Sequence, residues 1–482
     1  MLSLFRPVLY VCSVLSMVIS VLMAVVAAFG WWRNDAEYMV FLLCAAGIFA
    51  GGLTVHLAVR SPGTQLVARQ LYLMTSLSWV LMAFCGSLPL YFSHFELSFT
   101  DALFEAVSGI TTTGSTVLSG IEHLSPSLLL WRSMLQWLGG LGVIGMAVSI
   151  LPFLRIGGMR LFHTESSDWS DKSMPRLQSL ARLLVMTYLG ISLACMTAYW
   201  LGGMSVFDAV NHAMTTVSTG GYATNDRSMG RFDAPVLWIA IAFMLLGALP
   251  FTLIIGFLRQ PRWRLLLNSQ VLSLFAIVGT VSLLLSSFLI LSNDERPFAA
   301  LTHATFNLVS VITTTGYASS DYTQWGSFSI ALFFVVMFIG GCSGSTSGGM
   351  KVFRFELSYR FLRAQVRKLI HPNGVFSKQY NGRTVDDDIM HSAVAFSFLF
   401  FICLAVLTLL LALLGLDLVT SLSAAATALT NVGPGLGDIV GPAGNFAPLP
   451  DLAKWLLCFG MLLGRLELLT LMVLFTPVFW RG

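Results

Sequence analysis

Four short segments of the sequence share one pattern of hydroxyl residues and glycine. Anchored on one glycine each, they align without a gap as DALFEAVSGITTTGST, DAVNHAMTTVSTGGYA, HATFNLVSVITTTGYA and TSLSAAATALTNVGPG. The anchors are Gly114, Gly221, Gly316 and Gly433. A hydroxyl residue stands six positions before the anchor (Ser108, Thr215, Ser310, Thr427), an aliphatic one four before (Ile110, Val217, Ile312, Leu429) and a second hydroxyl three before (Thr111, Ser218, Thr313, Thr430). This agreement predicts four copies of one unit.

The chemistry that suits these segments is the binding of a dehydrated monovalent cation. Such an ion needs a ring of oxygen ligands, which potassium filters supply from backbone carbonyls. Glycine adopts the unusual dihedral angles that turn successive carbonyls to one axis. A short helix before each glycine would aim its negative C-terminal end at the same point. The segments have no ring of carboxylates, which argues against a divalent cation.

A second interpretation is that the small residues only let membrane helices pack closely, as they do in many proteins. That interpretation explains one such segment easily. It explains four segments in register poorly, so we favour the filter.

The composition indicates that lipid surrounds most of the chain. Of the 482 residues, 56% are hydrophobic and only 10% are charged, and the mean hydropathy is +0.80. Soluble domains carry about 25% charged residues. Runs of about 20 apolar residues predict ten membrane spans. They lie near 8–32, 38–59, 70–92, 128–154, 178–202, 234–258, 268–292, 327–350, 389–415 and 452–479.

The four glycine segments lie between spans and are too short to cross the membrane, so they read as re-entrant loops. We therefore predict an all-α membrane protein with about ten transmembrane helices. Four parallel helix–pore loop–helix repeats would surround one pseudo-fourfold pore, and two extra helices would precede them. The predicted boundaries are 1–65 for the extra pair and 66–160, 161–265, 266–385 and 386–482 for the repeats.

The distribution of basic residues predicts the orientation. Most of the 27 lysines and arginines fall on one side of the predicted spans, which the positive-inside rule assigns to the cytoplasm. Both termini and the basic stretch 351–383 would then be cytoplasmic, in a bacterial inner membrane. That stretch is expected to lie near the membrane surface and to contact anionic lipid or a partner.

Two features below the predicted filter suggest control of a pore. A run of ten residues ends the span 327–350 and cannot sustain a lipid-facing helix. It consists of Gly340, Gly341, Cys342, Ser343, Gly344, Ser345, Thr346, Ser347, Gly348 and Gly349. Arg465 lies inside the last span, where a cation costs at least about 2.5 kcal/mol. We expect the run to be a movable loop and Arg465 to be an electrostatic barrier, with close helix packing and a structural salt bridge as the alternatives.

The motifs SGITTTGST, STGGYAT, VITTTGYAS and TNVGPGLGD, with the terminal LFTPVFWR, resemble the TrkH branch of the Trk/Ktr/HKT potassium transporter superfamily. The resemblance covers essentially the whole chain. It implies potassium as the transported ion, an intramembrane gating loop at 340–349 and a pore-facing arginine at Arg465. The filter carbonyls would belong to Thr112, Thr113, Gly114, Thr219, Gly220, Gly221, Thr314, Thr315, Gly316, Asn431, Val432 and Gly433.

The resemblance also implies partners and a selectivity. Family members are homodimers with one pore per protomer, controlled by a peripheral nucleotide-binding subunit of TrkA type. This chain itself shows no nucleotide site, since Met350 replaces the lysine of a phosphate loop in GSTSGGMK, and no nucleic-acid partner is expected. Gly114 favours potassium over sodium. Gly220 and Asn431 depart from the threonines of the other loops, so discrimination is expected to be imperfect.

Two other functions fit parts of the sequence. An ion-coupled carrier would use membrane-embedded carboxylates for coupling to protons or sodium. An intramembrane serine protease would use Gly341-Cys342-Ser343-Gly344 with His391 as the base, but that leaves the four loops unexplained. We therefore expect a transporter rather than an enzyme, taking up potassium through a gated pore driven by the membrane potential.

Overall fold

The computed structural model describes residues 2–59, 67–149, 174–261, 267–374, 379–381 and 383–481. Almost all of their regular structure is helical. The helices are α1 Leu2–Trp32, α2 Tyr38–Val59, α3 Ala68–Tyr91, α4 Phe99–Ile110, α5 Pro126–Ser149, α6 Met174–Leu201, α7 Val206–Val217, α8 Ala234–Ala248, α9 Phe251–Arg259, α10 Ser269–Asn293, α11 Pro297–Ile312, α12 Ser327–Val336, α13 Val352–Ile370, α14 Asp387–Leu413, α15 Leu418–Thr430, α16 Asp451–Arg465, α17 Leu469–Met472 and α18 Pro477–Arg481. The predicted all-α membrane architecture is confirmed.

Six described helices are long and apolar enough to cross a membrane: α1, α2, α3, α6, α10 and α14. Two bent pairs raise the number to eight when each pair is counted as one span. The remaining two predicted spans correspond to α5, which carries the polar Arg132 and Gln136, and to the ten-residue α12.

The two bent pairs fall where the sequence predicts the spans 234–258 and 452–479. The first bends by 97° between α8 and α9, and the second by 110° after α16. Pro250 stands at the first break and cannot donate the hydrogen bond that a continuous helix needs. Glu467 and Leu468 have positive φ at the second break. Both breaks face the segment 340–349, as the contacts below show.

Four short helices, α4, α7, α11 and α15, precede the four glycine segments. Polar caps start three of them. Ser98 and Ser205 accept hydrogen bonds from the amides of Asp101 and Asp208, and each serine hydroxyl donates back to the aspartate. Asp417 accepts from the amide of Thr420. The capped helices α4, α7 and α15 therefore begin at a fixed residue, and all four helices end at their glycine segments.

Helix α13 links the segment 340–349 to α14. Phe353 and Leu357 are buried against Met390 and Ala393 of α14, whereas most side chains after residue 361 are exposed. A two-residue hairpin follows, in which β1 Gln379–Tyr380 pairs antiparallel with β2 Arg383–Thr384.

Candidate functional site

The backbone of all four glycine segments has the same alternating conformation. The anchors Gly114, Gly221, Gly316 and Gly433 have φ of 87°, 81°, 82° and 108°. The residues two positions earlier are also left-handed, with φ of 53° at Thr112, 52° at Thr219, 56° at Thr314 and 57° at Asn431. A strand points successive carbonyls to opposite sides. Alternating handedness turns them to the same side, as a ring of carbonyl ligands requires.

This conformation is strained at the threonines. A β-branched residue in the left-handed region costs on the order of 1–3 kcal/mol and persists only where the surroundings hold it there. Asn431 relieves that strain in the fourth loop, because asparagine tolerates this region. The departure from threonine there is therefore compatible with the shared backbone.

One backbone hydrogen bond recurs in all four loops and ends at the carbonyl of the residue in the first hydroxyl column. The amide one residue before each anchor donates to the carbonyl six residues before it. The bonds are Thr113 to Ser108 at 2.9 Å, Gly220 to Thr215 at 2.8 Å, Thr315 to Ser310 at 2.8 Å and Val432 to Thr427 at 3.2 Å. The four loops thus share a fold as well as a sequence pattern.

The four anchors interlock in a closed ring. A Cβ placed on any of them would collide with a backbone carbonyl oxygen of the next loop. Gly114 faces the oxygen of Gly220, Gly221 that of Thr315, Gly316 that of Val432 and Gly433 that of Thr113. The cycle passes through loops one, two, three and four and returns to one. Only glycine fits these positions, because any side chain would push two loops apart.

Side chains brace neighbouring loops around the ring. Tyr222, which follows the second anchor, donates to the carbonyl of Glu105 in α4 at 2.8 Å. Tyr317 follows the third anchor, and its hydroxyl lies 2.5 Å from that of Thr215 in α7. Ser115 donates to the carbonyl of Gly433 at 2.7 Å, which joins the first loop to the fourth. Asn431 makes a second such link, donating to the hydroxyl of Thr113 at 3.0 Å.

A buried ion pair lies behind the first loop. The guanidinium of Arg132 in α5 contacts the carboxylate of Glu105 at 2.7 Å, and both side chains are at most 2% exposed. The same carboxylate accepts from the hydroxyl of Thr116 and the amide of Val117. Arg132 also lies 4.1 Å above the ring of Tyr222. The pair therefore fixes the first loop and touches the second.

In three repeats, a glycine in the helix that follows the loop lets that helix approach the short helix that precedes the loop. Gly139, Gly247 and Gly464 lie against the carbonyls of Ile110, Val217 and Leu429, too closely for a Cβ at Gly139 and Gly464 and with a tight fit at Gly247. These carbonyls belong to the aliphatic column, four residues before each anchor. The repeat therefore extends beyond the loops, and sequence reasoning missed it although the glycines stand at comparable distances from their anchors.

The segment 340–349 lies directly beneath the four loops and is almost wholly buried. The hydroxyl of Thr346 donates to the carbonyls of Val217, at the end of α7, and Gly247, at the end of α8. The amide of Gly348 donates to the Thr314 hydroxyl at 2.7 Å, and that of Gly349 donates to the Thr430 carbonyl at 2.8 Å. Hydrogen bonds to Ala248 and from Phe251 tie it to the first helix break. The segment thus contacts the undersides of the second, third and fourth loops.

Arg465 reaches the same segment from the other side. Its Nη1 donates to the carbonyl of Thr346 at 3.0 Å, while Nε and Nη2 make no protein hydrogen bond. The residue is 4% exposed and lines a cavity together with Gly348 and Lys351. Glu467 forms an ion pair with Arg354. The described residues therefore give Arg465 no salt bridge.

The structure brings the twelve residues predicted as filter positions into one ring, and it brings residues 340–349 and Arg465 together beneath it. A ring of backbone carbonyls at the C-terminal ends of short helices could hold a dehydrated cation if the carbonyls face its axis, and a buried guanidinium below it would oppose one. Sequence reasoning missed Glu105, Arg132 and Gln136, which position the loops. The sequence did contain a signal for them, because two opposite charges and an amide are unusual inside predicted membrane segments.

The chain is similar over most of its length to proteins of a known family. A family model described as TrkH, cation transport protein, matches residues 39–481. The Trk system potassium uptake protein TrkI of Halomonas elongata is 51% identical over 99% of this chain and 97% of its own length. The Trk system potassium uptake protein TrkH of Escherichia coli is 36% identical over 88% of both chains. The crystal structure of the potassium transporter TrkH from Vibrio parahaemolyticus superposes with a TM-score of 0.91 at 33% identity, covering 99% of this chain and 100% of that one.

Proposed function

The chain belongs to the TrkH family of cation transport proteins, a family of transporters and not of enzymes, and we propose that it takes up potassium across the bacterial inner membrane through one gated, selective pore. The observation that carries this proposal is the closed ring in which each anchor glycine abuts a carbonyl of the next loop. A ring whose members lock one another has a fixed diameter, which suits discrimination between cations by size.

The ion ligands in this proposal are backbone carbonyls of the twelve filter residues. Alternating φ in all four loops supports it, as does the absence of a charged side chain at those positions. Potassium is bound there transiently during transport. Because the loops differ in sequence yet share their backbone, we expect selectivity over sodium to be stronger than the substitutions at Gly220 and Asn431 suggest.

The membrane potential suffices as the driving force. Moving one charge through 100 mV is worth about 2.3 kcal/mol, which corresponds to a concentration ratio of about fiftyfold. No coupled ion is then needed.

The gate in this proposal is the segment 340–349, with Arg465 as the barrier. The contacts of Thr346, Gly348 and Gly349 with three loops support a closed position beneath the filter. Deleting residues 343–347 should raise the potassium flux through purified protein in liposomes. An unchanged flux would contradict the gating role.

The proposed partners are those that the family resemblance implies. We propose a homodimer with cytoplasmic termini, controlled by a peripheral nucleotide-binding subunit of TrkA type. Its docking surface would include Arg363, Arg367 and Lys368, which are exposed on α13, the helix that continues from the gate. Replacing all three with glutamate should abolish co-purification of that subunit, whereas the exposed Arg33→Glu on the opposite side should not. Retained co-purification would contradict the surface, and anionic lipid would then be the better partner for it.

The ion-coupled carrier remains the second candidate. Among described residues within the repeats, the two buried carboxylates, Glu105 and Glu467, are each paired with an arginine. Both carboxylates are thus engaged by a protein cation rather than left to coordinate a coupled ion. Single-channel steps in a bilayer would support the pore, and uptake that collapses with the proton gradient at constant potential would support the carrier.

The test of the function is growth of a potassium-uptake-deficient bacterium at low potassium. The wild-type chain should restore growth. Gly114→Ser should fail, because its side chain meets the carbonyl of Gly220, whereas Gly279→Ser should succeed because nothing lies within 4 Å of that glycine. Absence of growth with the wild type, or equal growth with Gly114→Ser, would overturn the proposal.

A further inference from the structure

The first and third filter loops are held from behind by a pair of hydroxyls, and the second loop lacks that pair. The hydroxyls of Thr111 and Thr113 lie 2.7 Å apart, and those of Thr313 and Thr315 lie 2.8 Å apart. Gly220 occupies the corresponding position in the second loop and has no side chain. Something else must hold this loop if its carbonyls are to match the others.

The side chain of Gln136 in α5 fills the space that a threonine would occupy at position 220. A Cβ on Gly220 would collide with Cγ, Cδ and Oε1 of Gln136. The amide group of Gln136 bridges the loop on both sides of the anchor. Its Nε2 donates to the carbonyl of Gly220 at 2.7 Å, and its Oε1 accepts from the amide of Tyr222 at 3.0 Å.

Gln136 is wholly buried inside a membrane helix. A buried amide is costly unless its donor and acceptor are both paired, and here the loop backbone pairs both. The bridge also fixes Gly220, whose carbonyl oxygen packs against Gly114 of the first loop. A shift of Gly220 would therefore reach two loops.

The rest of the α5 face supports the same loop. Arg132 lies one helical turn before Gln136, and its guanidinium covers the ring of Tyr222. The hydroxyl of Tyr222 is held by the carbonyl of Glu105. The second loop is thus positioned by side chains of the first repeat.

We propose that Gln136 is a positioning residue for the second filter loop and a determinant of selectivity between potassium and sodium. It holds the second loop in place at Gly220, as the paired hydroxyls hold the first and third loops at Thr113 and Thr315. The N–H of Gln136 fixes the direction of the Gly220 carbonyl, whose oxygen also packs against Gly114, so losing this bond would shift an oxygen of the ring. This inference rests on the proposed potassium pore.

The experiment measures the sodium-to-potassium permeability ratio from bi-ionic reversal potentials of the full chain in liposomes. Gln136→Leu keeps the volume but removes both hydrogen bonds. Gln136→Glu keeps the acceptor for Tyr222 but, when ionised, has no N–H for Gly220. Both should raise the ratio about tenfold. Gln270→Leu is the matched control: it removes a buried amide that contacts Ser343 rather than the filter, and it should leave the ratio unchanged whatever it does to flux.

A rescue variant separates positioning from general packing. Gln136→Ala should raise the ratio. The double change Gln136→Ala with Gly220→Thr should lower it again, because the new hydroxyl has room and lies near Ser218, as Thr113 lies near Thr111. A merely structural Gln136 would alter protein yield without altering the ratio.

The outcomes distinguish the inference from the function on which it rests. A wild-type protein that does not select potassium overturns the proposed function. A selective wild type whose Gln136→Leu or Gln136→Glu variant conducts with the same ratio overturns only the role of Gln136. If Gln136→Leu does not fold, the glutamate and rescue variants decide the question.

Discussion

Arg465 donates a hydrogen bond from Nη1 to the carbonyl oxygen of Thr346, 119 residues away in the sequence, at 3.0 Å. The bond joins the cation of the last repeat to the segment that lies under the other loops. The proposed barrier and the proposed gate are therefore joined directly by a hydrogen bond. A displacement of the segment would free the guanidinium, and a displacement of the guanidinium would release the segment.

Removing the charge at Arg465 should raise potassium conduction. With an effective dielectric constant of about 20, a fixed cation about 8 Å from a passing one costs about 2 kcal/mol, or about thirtyfold in rate. Arg465→Ala should therefore conduct on the order of ten- to thirtyfold faster in liposome flux assays. Arg465→Lys, which keeps the charge but not the planar donor fork, should stay near the wild type if charge sets the barrier. Equal conduction of Arg465→Ala and the wild type would contradict the barrier role.

Loosening the gate segment should also raise conduction. Thr346→Val removes a hydroxyl whose single proton is shared between the carbonyls of Val217 and Gly247, at a cost of about 1 kcal/mol. We expect a higher open probability in single-channel recordings. Thr280→Val is the control, because its exposed hydroxyl bonds only within its own helix. If both variants behave like the wild type, Thr346 does not hold the gate closed.

The parts of this site that sequence reasoning predicted are those set by local backbone sterics. Gly114 and its three counterparts have positive φ, which favours glycine, so aligning the four segments was enough to find them. The carbonyl of the next loop, which lies where a Cβ would stand, could not be predicted in that way. The breaks near Pro250 and Glu467 were not predicted, because apolar composition does not report helix direction. The partner of Glu467 was not predicted either. It is Arg354, 113 residues away, and nothing in either local sequence specifies the other.

Gln136 is a second case in which a contact between distant parts of the chain could not be predicted from the local sequence. In the sequence, Gly220 reads as a defect in the second loop and predicts weaker selectivity. In the structure the space is filled by a side chain from the first repeat. A departure from a repeat can therefore be compensated by a residue that lies outside every copy of the motif.

The ion pair between Arg132 and Glu105 should be needed as a pair. Removing one partner of a buried pair leaves an uncompensated charge and costs about 3–5 kcal/mol. Arg132→Leu or Glu105→Gln alone should lower the unfolding temperature in detergent strongly. The double variant should lose less than the sum of the single losses. Additive losses in this double-mutant cycle would contradict direct coupling.

The glycines that lie against the carbonyls of the short helices α4 and α15 should not accept a methyl group without loss of stability. Gly464→Ala places a Cβ against the carbonyl of Leu429, and such overpacking costs about 1–3 kcal/mol. We expect a lower unfolding temperature and slower uptake. Gly190→Ala, in α6 with nothing within 4 Å, should be neutral or stabilising by up to about 1 kcal/mol, because alanine is the better helix former. Equal effects of the two changes would contradict the packing role.

The loop between α1 and α2 should make the fold sensitive to acid. Partial burial raises the pKa of Asp35, but hydrogen bonds from Ser125, Ser127 and the Glu37 amide outweigh it and hold the pKa below its usual value. Because the folded pKa is the lower one, these bonds stabilise the fold above the unfolded pKa of about 3.9. That stabilisation is lost as the pH falls through the folded pKa. The wild type should thus lose a few degrees more unfolding temperature than Asp35→Asn between neutral pH and about pH 3. The exposed Asp438→Asn serves as the control and should follow the wild type, and identical pH profiles of Asp35→Asn and the wild type would contradict the assignment.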